Sequence, residues 1–210
     1  MVRAVFFDWD GTLADTAEAS FRCYVRLFAS YGIAFDRETY ARTYSPNWYH
    51  TFREVGLDEE HWRDADAQWL EHFACEEVAL IDGARELLAA LAERGVANGI
   101  VTSGSRERVS RELAAHALTP YVRASVFGCD VVAKKPHPEG LLLAMEKLGV
   151  RAEEAVYVGD SPEDIAMARA AGVYSVAVPG TYPNRDALLA SAPDAFAHSL
   201  AGVLEVLDGR

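Results

Sequence analysis

Two aspartates separated by one residue follow an apolar run near the start of the chain. Residues 5–7 are Val-Phe-Phe, and Asp8 and Asp10 come directly after them. Strand alternation places both carboxylates on one side, and Gly11 lets the chain turn at the strand's carboxyl end, where parallel sheets bind ligands. Carboxylates at such an edge could bind a cation or exchange a proton. The alternative is an ordinary surface turn, in which Asp and Gly are common.

A second acidic segment follows another apolar run, at residues 155–158. It reads Gly-Asp-Ser-Pro-Glu-Asp and contains Asp160, Ser161 and Asp164. Ser161 could cap a helix, and acidic residues in a first turn favour the positive end of the helix dipole. Capping does not explain Asp160, which precedes the cap. Carboxylates that meet from separate strand ends suit Mg²⁺, so the sequence predicts a magnesium site at this edge.

Two further segments could handle a phosphate. Residues 101–105, Val-Thr-Ser-Gly-Ser, follow a predicted strand and precede a helix predicted over residues 106–116. Hydroxyls and amides at the positive end of a helix can cradle phosphate, although Ser103 or Ser105 could equally be a helix cap. Lys134-Lys135-Pro136 precedes another predicted helix. A lysine there could neutralise bound phosphate and crowded carboxylates, or the pair could be an exposed surface feature.

The elements that position these segments alternate along the chain. Short apolar runs predict strands at residues 5–7, 100–101, 155–158 and 174–178, with a further short strand within 127–132. Helical spacing of apolar residues, ended by glycine, predicts helices at 84–94, 138–148 and 164–171. This alternation is typical of a doubly wound α/β domain with a parallel sheet.

One connection is too long for a simple crossover. About 90 residues separate Asp10 from Ser103, whereas a βαβ unit needs about 30. Residues 16–80 show helical spacing of aromatic residues, with Asp58 as a candidate N-cap. We interpret them as a small helical bundle above the sheet edge, joined at residues 13–16 and 80–83. Its aromatic residues are expected to form its own core rather than a ligand site.

Composition limits the classes of partner. The 210 residues are 50% hydrophobic and carry a net charge of −12, so a nucleic-acid backbone would be repelled. There is no apolar stretch long enough to span a membrane and no signal-peptide pattern at the start, so we expect a cytoplasmic protein without a membrane partner. The three cysteines have no disulfide or zinc spacing. A monomer or weak homodimer is expected.

Taken together, the four segments resemble the haloacid dehalogenase superfamily, most closely its phosphatases of the phosphoglycolate phosphatase and β-phosphoglucomutase type. The resemblance implies a Rossmann-like core, residues 1–15 and 81–210, and a helical cap, residues 16–80. Two departures stand out. Trp9 occupies a position where a smaller apolar residue is usual, and Gly104-Ser105 replaces an Asn-Lys pair often found in the glycolate branch.

The resemblance also implies a role for each residue. Asp8 would be the nucleophile that forms an aspartyl phosphate, and Asp10 the acid and base. Mg²⁺ would be held by Asp8, the backbone carbonyl of Asp10, and Asp160, with Asp164 fixing the outer ligand shell or Lys135. The phosphoryl group would be bound by residues of three segments: Thr12, Ser103 with the Gly104 amide, and Lys135, which also offsets charge during catalysis.

The expected function is therefore a magnesium-dependent phosphatase that hydrolyses a small phosphorylated metabolite. A dehalogenase would not need Asp10, and a phosphonoacetaldehyde hydrolase needs a cap lysine, whereas no lysine precedes Lys134. A β-phosphoglucomutase-like mutase stays open, since Arg42 and Arg53 could bind a second phosphate, although exposed helix arginines are the ordinary interpretation. A non-catalytic phosphate-binding protein is the third possibility. Residues 43–49 could form a specificity loop or equally an ordinary connection between helices, and the substrate is left open.

Overall fold

The computed structural model describes all 210 residues. The strands are β1 (Ala4–Phe7), β2 (Ala14–Asp15), β3 (Ala79–Leu80), β4 (Ala97–Val101), β5 (Val122–Val126), β6 (Ala155–Gly159), β7 (Tyr174–Ala177) and β8 (Ala195–Phe196). The helices are α1 (Ala17–Ser30), α2 (Arg37–Thr43), α3 (Trp48–Glu54), α4 (Trp62–Ala74), α5 (Ala84–Glu93), α6 (Arg106–Ala115), α7 (Glu139–Leu148), α8 (Pro162–Ala170), α9 (Arg185–Ala190) and α10 (Gly202–Asp208).

The core is a six-stranded parallel sheet in the order β5-β4-β1-β6-β7-β8. The chain first builds outward from β1 through β4 to β5 and then crosses back to β6. Strand β1 therefore lies beside the point where the direction of winding reverses, and ligands bind at such points outside the carboxyl ends of the strands. The predicted α/β class, with a parallel sheet flanked by helices and a helical insert, is confirmed.

Strand alternation divides the core into two layers. Val5 and Phe7 contact residues of α5, α6 and α10 on one face, whereas Phe6 packs with residues of α7 and α8 on the other. All three side chains are fully buried. Because helices cover both faces, the two middle strands β1 and β6 carry almost only apolar side chains, which is why they could be recognised as short apolar runs.

The prediction of a short strand within residues 127–132 is wrong, because these residues form no strand. Strand β5 ends at Val126, and the segment after it is a turn in which Asp130 accepts a hydrogen bond from the amide of Phe127 at 3.0 Å. Strand β5 lies at the sheet edge, with Arg123 exposed and Ala124 and Val126 buried. Its alternating polar residues break the apolar run that marks a central strand.

Four helices, α1 to α4, lie between β2 and β3, which pair antiparallel through Ala14–Leu80 and Asp15–Ala79. Aromatic residues form the core of this insert, where Phe28 and Phe52 are fully buried. Asp58 makes no capping bond, because a 3₁₀ turn at Glu59–His61 intervenes before α4 begins. The division at residues 16 and 80 stays a prediction. No helix has the length and apolar character needed to cross a bilayer.

Candidate active site

Three carboxylates converge at the carboxyl edge of the sheet. Asp8 follows β1, Asp160 follows β6, and Asp164 lies in the first turn of α8. Each is buried, and one oxygen from each lies within 4.8 Å of the others. Adjacent parallel strands end side by side, so residues 152 positions apart in sequence become neighbours.

Lys135 is the cation at the centre of this cluster. Its Nζ lies 2.7 Å from Oδ1 of Asp8 and 2.8 Å from Oδ1 of Asp164, and its side chain is only 5% exposed. Although burial alone lowers the pKa of Lys135, the two carboxylates outweigh it and raise the pKa above the ordinary lysine value. Lys135 is therefore a permanently charged link between the two aspartates.

Asp164 is fully committed to contacts within the protein. Its Oδ1 accepts from Lys135 and from the Tyr157 hydroxyl at 3.0 Å, and its Oδ2 accepts from the amide and hydroxyl of Ser161 at 3.1 and 2.7 Å. Ser161 in return caps α8, so the two residues form a capping box. With both oxygens occupied, Asp164 holds Lys135 in place.

Only one of the two carboxylate oxygens of Asp160 has a hydrogen-bond partner. Its Oδ1 accepts from the Thr12 hydroxyl at 2.8 Å, whereas Oδ2 is buried and has no hydrogen-bond partner. Backbone packs closely around that oxygen: a Cβ atom added at Gly11, where φ is +84°, would overlap Oδ2. An unpartnered buried carboxylate oxygen is unfavourable unless a cation completes the site.

The electrostatics of the cluster also favour a cation. Burial raises the pKa of Asp8 to about 7, and Asp164 and Asp10 add to this while Lys135 opposes it. Burial, Asp8 and Asp164 likewise raise the pKa of Asp160 well above its ordinary value. A divalent cation would restore the ionised forms of both. Oxygens of Asp8 and Asp160 therefore fit Mg²⁺, a hard cation that prefers carboxylate ligands.

Asp10 lies apart from this cluster and contacts Arg108. The two nitrogens of the Arg108 guanidinium meet the two oxygens of Asp10, Nη1 to Oδ1 at 2.9 Å and Nη2 to Oδ2 at 2.5 Å. The side chain of Asp10 is 22% exposed and that of Arg108 only 6%. Asp10 thus faces the cavity above the sheet edge, with a buried arginine behind it.

The loop after β4 divides its polar groups between capping and the site. Ser105 caps α6, with its hydroxyl 3.4 Å from the Arg108 amide, and the Thr102 hydroxyl accepts from the amide of Gly104 at 3.0 Å. The Ser103 hydroxyl has no such partner in the chain, and Ser103 lines the cavity. Of the two capping alternatives, Ser105 is the cap, which leaves Ser103 available to a ligand.

A cavity of about 280 Å³ separates these residues from the helical insert. Its floor is formed by the sheet edge, with Asp8, Asp10 and Ser103, and its roof by aromatic residues of the insert: Tyr24, Tyr40, Tyr44, Trp48, Phe52 and Trp69. Tyr44 stacks on Tyr182 of the core, with ring centroids 4.3 Å apart. The aromatic residues of the insert thus form its core and also line the cavity.

Lys134 contacts the roof of the same cavity. Its ammonium lies 3.8 Å from the centroid of the Trp48 ring, a cation–π contact between the core loop and α3. Arg42 and Arg53, in contrast, are exposed and do not line the cavity. Residues 44–46 and 48 do line it, as expected if residues 43–49 form a specificity loop.

Most of the residues selected from the sequence meet around this cavity. Asp160 and Asp164 are not among the residues that line it, and neither is Thr12, whose fully buried hydroxyl donates to Asp160. Sequence reasoning missed Arg108, Glu112 and Tyr182. The spacing of Arg108 and Glu112, four residues apart in α6, is a detectable signal, but such pairs are ordinarily exposed. For Tyr182, which lies in a loop far along the chain from the insert it contacts, no sequence signal exists.

Comparison with known proteins identifies the family. The haloacid dehalogenase-like hydrolase family model matches residues 5–178, so the chain belongs to that family. It is 32% identical over 219 residues to a phosphoglycolate phosphatase of Yersinia pestis, covering 98% of this chain and 93% of the relative. It is also 32% identical to pyrophosphatase PpaX of Bacillus pumilus, covering 98% and 96%.

Comparison with solved structures shows the same fold. A crystal structure of a Lactobacillus plantarum protein superposes with a TM-score of 0.90 at 24% identity, covering 98% of this chain and 99% of the other. The family inferred from four short segments is confirmed, as is the enzyme class, a haloacid dehalogenase-like hydrolase of phosphatase type.

Proposed function

We propose that the protein is a magnesium-dependent phosphatase that hydrolyses a small phosphomonoester through an aspartyl phosphate on Asp8. The observation that carries this proposal is the arrangement of Asp8: a buried carboxylate at the floor of a cavity, held on one oxygen by Lys135 and within 4.8 Å of an oxygen of Asp160, whose Oδ2 has no partner. This arrangement provides a nucleophile, a cation that screens an approaching phosphate dianion, and a metal-binding oxygen.

In the first half-reaction, one oxygen of Asp8 attacks phosphorus and the bond from phosphorus to the leaving oxygen breaks. Asp10 transfers a proton to that leaving oxygen, so it departs as a hydroxyl group rather than as an alkoxide. Ser103, which lines the same cavity, binds a phosphoryl oxygen, and Lys135 offsets its charge. The Gly104 amide, also expected to bind phosphate, instead donates to the Thr102 hydroxyl. Thr12 contributes indirectly, since its hydroxyl fixes Asp160.

In the second half-reaction, Asp10 accepts a proton from water as that water attacks the aspartyl phosphate. The bond between phosphorus and Asp8 breaks, and inorganic phosphate and the original carboxylate result. Mg²⁺ held by Asp8, the backbone carbonyl of Asp10 and Asp160 would supply charge stabilisation for the phosphoryl oxygens. Asp164 does not contact the phosphoryl group and acts by holding Lys135 in place.

A leaving group with its own negative charge, such as glycolate, is our first choice for the substrate. Of the cations that line the cavity, Arg108 and Lys135 are paired with carboxylates, whereas Lys134 has no such partner. Lys134 could therefore meet a substrate carboxylate beneath the aromatic roof. The similarity to a phosphoglycolate phosphatase and to a pyrophosphatase supports an anionic leaving group as well.

The mutase alternative has less support. A sugar phosphomutase must hold a second phosphate opposite the nucleophile, and Arg42 and Arg53 were its candidate ligands. Arg53 instead lies 3.9 Å from the exposed Glu59 and packs over the ring of the half-buried Trp62. Incubation with β-glucose 1-phosphate and a trace of its bisphosphate distinguishes the two. Glucose 6-phosphate without free phosphate would establish the mutase instead.

The direct test is magnesium-dependent hydrolysis of 4-nitrophenyl phosphate, followed by a panel that includes 2-phosphoglycolate and pyrophosphate. Asp8→Asn should abolish turnover, because an amide is not a nucleophile for phosphorus. Asp15→Asn is the matched control, since Asp15 is exposed at the joint to the insert and should retain full activity. An inactive wild-type protein would favour the non-catalytic phosphate-binding alternative.

A further inference from the structure

A buried chain of polar contacts runs behind Asp10. The Trp9 indole nitrogen donates to Oε2 of Glu112 at 2.6 Å, and Glu112 accepts from Nη1 of Arg108 at 3.2 Å. Arg108 in turn meets both oxygens of Asp10. Trp9 is fully buried, and Glu112 and Arg108 are each 6% exposed. The guanidinium also packs 4.8 Å from the ring centroid of Phe73 in the insert.

These contacts account for one residue in each departure from the family pattern, Trp9 and Gly104. Trp9 supplies the indole N–H that holds Glu112, which a smaller apolar side chain could not do. Gly104 leaves room for the guanidinium: a Cβ atom at that position would lie 2.5 Å from Nη2 of Arg108 and 3.3 Å from Oδ2 of Asp10. The residues at 9 and 104 are therefore fitted to a single feature, the placement of Arg108.

We propose that Arg108 is a positioning residue that orients Asp10 for proton transfer, and that Trp9 and Glu112 hold Arg108. The proposal rests on the proposed function, because it assigns a role to residues that act through Asp10. The planar guanidinium fork is suited to this task, since it fixes the plane of a carboxyl group by two parallel hydrogen bonds.

The guanidinium can also keep a hydrogen bond to Asp10 when Asp10 is protonated. A protonated carboxyl keeps one oxygen that only accepts, while the other carries the proton as a donor. One Arg108 nitrogen can stay bound to the accepting oxygen while the protonated oxygen turns to the leaving group in the cavity. While Asp10 is protonated and uncharged, Glu112 still compensates the charge of Arg108, so the guanidinium stays in its buried position.

This role predicts a dependence on the leaving group. Benzyl alkoxide is a strong base and needs a proton to depart, whereas 4-nitrophenolate departs without one. Loss of Asp10 orientation should therefore reduce kcat/KM more for benzyl phosphate than for 4-nitrophenyl phosphate. It should also slow hydrolysis of the aspartyl phosphate, in which Asp10 is the base, so the intermediate should accumulate.

The test compares Arg108→Lys, which keeps the charge but removes the fork, with Arg111→Lys, an exposed arginine of the same helix. General acid catalysis contributes about 10²–10⁴-fold, so partial loss should reduce kcat/KM for benzyl phosphate about 100-fold. The ratio of kcat/KM for the two substrates should shift at least about tenfold towards 4-nitrophenyl phosphate. A burst of 4-nitrophenol near one equivalent of enzyme should appear, and Arg111→Lys should show neither effect.

Trp9→Phe is the second variant, in case Arg108→Lys does not fold, because it keeps an aromatic ring and removes only the indole N–H. It should shift the substrate ratio in the same direction by about threefold. Equal losses for both substrates without a burst would show that Arg108 is only structural and would overturn the proposal. An inactive wild-type protein would refute the proposed function and this role with it, so the two failures are distinguishable.

Discussion

Replacing Lys135 by methionine removes the only cation within a buried group of carboxylates. Lys135 is paired with Asp8 and Asp164, and none of the three side chains is more than 11% exposed. The Asp164 oxygens keep their contacts to Tyr157 and Ser161, whereas the Asp8 carboxylate loses its only hydrogen-bond donor. The variant therefore leaves Asp8 and Asp160 side by side with no compensating charge.

Removing one partner of a buried ion pair costs about 3–5 kcal/mol, which for a chain of this size corresponds to a fall in Tm of about 6–20 °C. The cost should be largest near pH 8, where the carboxylates must ionise, and smaller near pH 5, where they can take up protons instead. Mg²⁺ should restore part of the lost stability by replacing the missing charge.

Thermal and urea unfolding of Lys135→Met and Lys134→Met provide the measurement. Lys134 is the adjacent lysine, half-buried and with no carboxylate within salt-bridge distance, so its loss should cost about 1 kcal/mol or less. If both variants were equally stable at pH 8 in EDTA, the carboxylates would not depend on Lys135 and the electrostatic reasoning would be wrong. Lys135→Met should also lose phosphatase activity, even under conditions in which the variant stays folded.

Two other predictions follow from the same cluster. Because the pKa of Asp8 is raised to about 7, the folded protein binds more protons than the unfolded chain between its ordinary value of 3.8 and 7. The unfolding free energy in EDTA should therefore fall as pH rises through that window, relative to Asp8→Asn, and Mg²⁺ should stabilise most at the upper end. A wild-type unfolding free energy that rose with pH relative to that of Asp8→Asn would contradict this sign. Gly11→Ala should cost about 2–4 kcal/mol, because φ is +84° and the new Cβ would overlap Asp160 and Tyr182. Gly32→Ala is the control, since φ there is +71° but the space is open, and isothermal titration with Mg²⁺ should show a binding defect in Gly11→Ala alone.

Much of the fold could be predicted because β1 and β6 are buried on both faces. Such strands must be apolar throughout and must end in polar residues where the sheet ends, so both the strands and the site are marked in sequence. Strands β5 and β8 lack that mark: β5 is an edge strand with alternating polarity, and β8 has only two residues. Local pattern carries little information at a sheet edge.

The sequence by itself marked the family and the carboxylates that meet at the sheet edge, Asp8, Asp160 and Asp164, because these depend on residue types directly after a strand. It could not determine which contacts each side chain makes. The Thr12 hydroxyl turns to Asp160, and the whole contact chain from Trp9 to Asp10 depends on residues about 100 positions apart. The tertiary structure decides these hydrogen-bond partners, because a buried polar atom bonds to whichever group the packed fold brings within hydrogen-bond distance.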